Sequence, residues 1–149
     1  MSKRPALVVS VFALTLQAGG AAAAPCTATA LSKAEARMLM LKIPEAILIR
    51  GTGGTVEPTD SDAKGTYPHS IFYNFMLQTS NTQGTLLDNG LIGYYAVNRI
   101  SGGVVNLMLD PGEVLGPELT KAQLLLRKKH CIDPHMVDAN RNLSPMINR

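Results

Sequence analysis

Tryptophan is missing from this 149-residue chain, and Phe and Tyr together make up only 5% of it. A core built from it must therefore be aliphatic, with methionine as filler. There are only three histidines, His69, His130 and His135, and two cysteines, Cys26 and Cys131. That thin supply of ligands argues against a structural zinc site, which takes four Cys or His donors. No apolar run reaches the roughly 20 residues a membrane span needs. The longest, Ala6 to Leu16, stops well short. No long low-complexity tract or internal repeat is visible.

The short run itself is informative. Lys3 and Arg4 precede it, and small residues from Ala18 to Ala24 follow before Pro25. A basic start, a greasy middle and a small-residue exit form a secretory signal peptide. Ala21 and Ala23 suit a peptidase that reads the positions three and one before the cut. The cut is expected after Ala23 or Ala24, with Ala23 preferred because Pro25 directly after a cut is unfavourable; the leader is then 1–23, followed by a single exported domain over 24–149. An uncleaved anchor is the alternative. Pro25 stands where lipidation of Cys26 would need a small residue, which argues against a lipid-anchored chain.

Loss of the leader changes the charge argument. The whole chain carries +3, but removing Lys3 and Arg4 leaves 12 basic and 11 acidic residues. A net charge of about +1 gives no basic face for nucleic acid. The remaining length, about 125 residues, suits one domain with one core.

Cys26 and Cys131 lie near the two ends of the exported part. In an oxidising compartment they are expected to form one disulfide that clamps the termini. The competing reading makes Cys131 a metal ligand with His130 and His135, but His-Cys-x-x-x-His is not a zinc spacing.

The pattern along the chain predicts a helix over 32–43, opened by a capping box of Ser32 and Glu35. Ala34, Met38, Leu41 and Leu39 mark its expected inner face. Pro44 can open a second helical piece running to about Leu48. A strand over Ala46–Arg50 is the alternative, favoured by Ile47 and Ile49. Residues 51–69, rich in Gly, Pro and Asp, are expected to be irregular and to contribute nothing to the core. Three strands follow, at 71–79, 91–98 and 103–109. On the first, Ile71, Tyr73, Phe75 and Leu77 should face the core, opposite Phe72, Asn74, Met76 and Gln78. Arg99 to Gly102 reads as an exposed hairpin tip. A helix from 117 or 118 to 130 should bury Leu119, Ala122, Leu125 and Leu126, with Gln123 widening that face. Glu118 in its first turn and Arg127 to His130 in its last suit the helix dipole. The tail from Asp133 is weakly patterned and is expected to be flexible. The resulting fold class is α+β: a small antiparallel sheet packed against an N-terminal and a C-terminal helix.

Tyr95-Ala96-Val97-Asn98-Arg99-Ile100-Ser101-Gly102-Gly103-Val104 resembles the hairpin of bacterial PepSY-type domains, Tyr-x-Val followed after three residues by Thr-Gly-x-Val. Ser101 replaces the usual Thr. The resemblance covers less than a tenth of the chain. It implies an extracytoplasmic module with a helix before the strands, and a link to peptidase inhibition; it carries over no catalytic residue.

Catalytic and cofactor motifs are thin. Gly51-Thr52-Gly53-Gly54-Thr55-Val56 has Val56 where the dinucleotide fingerprint needs its third glycine, and no P-loop Lys-Ser or Lys-Thr follows. No serine lies in a Gly-x-Ser-x-Gly elbow. Asp60 and Asp62 could hold calcium only weakly, since a full loop needs more oxygens and a distal Glu. His69 is the one candidate general base, and it would need a carboxylate from the long loop. Lys121 with Arg127, Lys128 and Lys129 offers either a solvated face or a contact for an acidic partner.

The composite expectation is a secreted or periplasmic, non-enzymatic binding protein without a cofactor or metal. Its partner would be another protein: a toxin, a peptidase or an envelope component. Tyr67, Tyr94 and Arg99 are the candidate binding residues, with either tyrosine serving the core as the alternative. The competing readings are a small envelope hydrolase using His69 and a structural part of an envelope assembly.

Overall fold

The computed structural model describes residues 25–62, 67–79, 90–108 and 112–141. The expected leader, Leu109 and the linker at 80–89 lie outside these.

Helix α1, Lys33–Met40, begins as the capping box requires. Ser32 Oγ accepts from the Glu35 N–H at 3.3 Å, and the Glu35 carboxylate accepts from the Ser32 N–H at 2.8 Å. Its inner face keeps Leu39 of the expected stripe but otherwise differs from it. Ala36, Leu39, Met40 and Ile43 are fully buried, whereas Ala34 is exposed and Met38 is 54% exposed. Both stripes have helical spacing, so periodicity alone does not separate them. Glu35 decides the rotation, because its carboxylate turns inward to meet cations at the far end of the chain.

Helix α2, Pro44–Gly51, follows with Pro44 in its first turn, which settles the choice against a strand. The glycine motif after it closes the helix. Gly53 N–H donates to Arg50 O and Gly54 N–H to Ile49 O, with Gly53 at φ +84°. This is a Schellman ending, in which a left-handed glycine lets the last carbonyls be satisfied.

Five strands form one antiparallel sheet in the order β1-β2-β3-β4-β5: Val56–Asp60, Phe72–Thr79, Leu91–Asn98, Val104–Asn106 and Gly112–Glu113. The segment 51–69 is thus not wholly irregular. Strand β1 pairs with β2 from Val56↔Thr79 to Asp60↔Phe75, Val56 packs on the core, and Tyr67 is buried. Pro58 hides this strand from a sequence reading, but β1 is an edge, where a missing N–H is tolerated. The last expected strand is shorter than 103–109, and β5 pairs beside it.

The main core lies between one sheet face and the helices. Phe75 and Leu77 of β2, Tyr95 and Val97 of β3 and Val104 of β4 meet Leu39, Met40 and Ile43. Tyr73 packs on this side as alternation requires, but Ile71, just before the strand, joins a smaller cluster on the other face. There Tyr67 and Phe72 make an edge-to-face pair, centroids 4.9 Å apart, over Ala96.

Helix α3, Pro117–Lys129, and helix α4, Pro134–Arg141, complete the α+β fold. Residues 134–141 of the weakly patterned tail form α4, and Val137 packs on the core beside Ile132. Asp133 and Pro134 carry the helix start: Asp133 Oδ1 accepts from His135 N–H at 2.8 Å, and Pro134 needs no donor in the first turn. Cys26 and Cys131 are joined by a disulfide with Cα atoms 5.8 Å apart. Thr29 N–H also donates to His130 O at 3.1 Å, so the approach to α1 runs beside the end of α3.

Candidate interaction surface on helix α3

Helix α3 is held from behind at several points. Leu119 is fully buried, and the buried Gln123 donates through Nε2 to Gly102 O at 2.9 Å. Arg127 Nε donates to Ser101 O at 2.6 Å. At its end, Lys129 Nζ and His130 Nε2 reach the same oxygen, Glu35 Oε1, at 2.7 and 2.9 Å. The hairpin tip therefore corrects the expectation of exposure: Ser101 and Gly102 lie buried beneath α3. Gly102 sits at φ +70°, and a Cβ there would stand 3.3 Å from Leu39 Cδ1. Turn chemistry predicts that glycine; only the packing shows that its lack of a side chain lets α1 and α3 close over it.

Glu35 is the electrostatic centre of this arrangement. Burial raises its pKa, but hydrogen bonds from Lys129, His130 and both the N–H and Oγ of Ser32 outweigh burial. The carboxyl is held well below the usual range and stays ionised. His130 Nδ1 lies 2.8 Å from Thr29 Oγ1, which completes a hydroxyl–imidazole–carboxylate chain. The Thr29 backbone bond to His130 O and the neighbouring Cys26–Cys131 bridge make this chain a fastening of the two ends of the fold.

The outward side of α3 is different in kind. Pro117, Thr120, Lys121, Leu124, Leu125 and Lys128 form one open strip along the outer face of α3. Leu124 is 57% exposed and Leu125 is 63% exposed. Of the expected inner face, Leu119 is buried and Ala122 and Leu126 pack on the core, but Leu125 points outward. Gln123 takes the inward position because its amide has a carbonyl to satisfy, and Leu125 lies about 200° round the helix from it. The expected basic cluster is divided in the same way. Arg127 and Lys129 turn in to Ser101 and Glu35, whereas Lys121 and Lys128 lie on the outer strip and make no ion pair with a described residue. Leu124 and Leu125 are thus adjacent exposed leucines with a lysine one turn away on either side along the helix.

The remaining candidates do not converge. Tyr67 is buried, and both its N–H and its C=O bond the Asn74 side chain, so it serves the core and not a surface. Tyr94 is half-buried on β3, opposite Met76 of β2. Arg99 stacks over Tyr73 at 4.9 Å and donates to His69 O and Ser70 O, each at 3.3 Å, so it braces a loop. His69 is exposed, and its ring bonds no described residue. Asp60 does not pair with Asp62 around a cation; Lys33 and Arg37 already bind its carboxylate. Cys131 is in the disulfide, and the described residues contain no His, Cys, Asp and Glu group able to hold a metal.

No family model, curated protein or solved structure matches the chain.

Proposed function

We propose that this chain is an exported, non-enzymatic protein-binding module of the inhibitor or immunity type, and that it engages another protein through the outer face of α3. The observation that carries the reading is the pairing of Leu124 and Leu125, both more than half exposed, on a helix pinned from behind by Gln123, Arg127, Lys129 and His130. Burying that apolar area gains free energy, and a rigid helix loses little entropy when it is covered. Export is supported by the leader pattern at 1–23 and by the Cys26–Cys131 bridge, which suits an oxidising compartment. The hairpin Tyr95 to Val104 adds its resemblance to PepSY-type domains. The partner would be a toxin, a peptidase or an envelope component. The hydrolase alternative draws no support from His69, whose ring bonds no described carboxylate.

The test uses the exported protein as bait in an envelope extract, beside an L124D/L125D variant. A stoichiometric partner held by the wild type and released by the variant, with circular dichroism unchanged, is the expected result. A partner held equally by both, or none at any salt concentration, overturns the reading. Mass spectrometry of the exported chain should show residues 1–23 removed.

A further inference from the structure

The outer face of α3 also carries information about what covers it. Its centre is apolar, at Leu124 and Leu125, and its rim holds two ammonium groups, Lys121 and Lys128. These lysines are one heptad apart, so they sit on the same side of the helix with about 10 Å of axis between them. Neither is neutralised by a described residue, in contrast to Lys33, Arg37 and Lys129, each of which has a carboxylate partner.

Resting on the reading of this face as the docking surface, we propose that its occupant is an acidic amphipathic α-helix of the partner protein. A helix laid along another helix presents apolar anchors at i, i+3, i+4 and i+7. Here they would cover Leu124 and Leu125. Asp or Glu residues one heptad apart on the same helix would then meet Lys121 and Lys128. A second copy of this chain fits less well, because two such faces would bring four ammonium groups together.

The probe is a helical peptide of about four turns, with leucines at i, i+3, i+4 and i+7 and two glutamates one heptad apart. Its control carries lysines in place of the glutamates. Fluorescence anisotropy on the full exported protein should show preference for the acidic peptide by about tenfold or more, which corresponds to about 1.4 kcal/mol. K121E/K128E should reverse that preference, and L124D/L125D should weaken both peptides. Equal affinity for the two peptides, or a preference that survives charge reversal, overturns the proposal. So does a dimer in sedimentation that L124D/L125D abolishes, or a tighter hold on phosphatidylglycerol vesicles than on the acidic peptide. Loss of the envelope partner in L124D/L125D without competition by the acidic peptide would leave the docking face standing and remove this occupant. Peptide binding at α3 with an envelope partner held elsewhere would do the opposite.

Discussion

Glu35, in the first turn of α1, and His130, 95 residues later at the end of α3, are hydrogen-bonded at 2.9 Å. The contact joins the start of α1 to the end of α3, and the same carboxylate caps α1 through Ser32. A single side chain therefore caps the start of one helix and receives the end of another.

The pH dependence of stability follows from this carboxylate. Its pKa is depressed in the folded protein, against about 4.5 for the ordinary group. The contribution is whole above that value and is lost as the pH falls below it, since the unfolded chain takes up the proton more readily. Asp60, held low by Lys33 and Arg37, acts in the same direction with a smaller, solvent-screened share. Urea denaturation from pH 6 to pH 3 should show a falling midpoint in the wild type and a flatter profile in Glu35→Gln. At pH 7 the variant should lose about 2 kcal/mol, the scale of hydrogen bonds to a charged group.

Reduction tests the clasp at the ends. The bridge closes a loop with a sequence separation of 105. The chain-entropy model assigns such a closure about 4–5 kcal/mol. Thermal melts of C26S/C131S, or of wild type in dithiothreitol, should show a large fall in Tm. Unchanged melting would mean that the hydrogen bonds from Thr29 and Glu35 hold the ends without it.

The rotations of α1 and α3 separate by alanine substitution. Met40→Ala and Leu119→Ala remove fully buried side chains and should each cost about 2–5 kcal/mol. Met38→Ala and Leu125→Ala, at exposed positions, should stay within about 0.5 kcal/mol. Chemical denaturation of the four variants distinguishes these faces from the alternative stripes.

Two glycines should respond with opposite signs. Gly102→Ala forces a left-handed residue against Leu39 and should cost about 1–2 kcal/mol. Gly51→Ala, in the last turn of α2 with open space at its Cβ, should stabilise by about 0.5–1 kcal/mol. Guanidinium titrations of both variants read the difference.

What the order of residues settled alone was local or topological. The capping box at Ser32 and Glu35, the proline that opens α2, the alternation along β2, the Ser-Gly-Gly turn and the α+β class each rest on short-range chemistry that any environment would express. The cysteine pairing was legible because only two thiols exist. The tertiary structure decided which of two equally periodic stripes each helix buries, because that depends on partners far along the chain: Glu35 needed Lys129 and His130, and Gln123 needed the Gly102 carbonyl. Strand β1 likewise exists because β2 supplies its hydrogen bonds, which no local propensity around Pro58 reveals. The outer face of α3 emerged from the same rotation, since Leu124 and Leu125 became a surface only when a polar glutamine took the inward place.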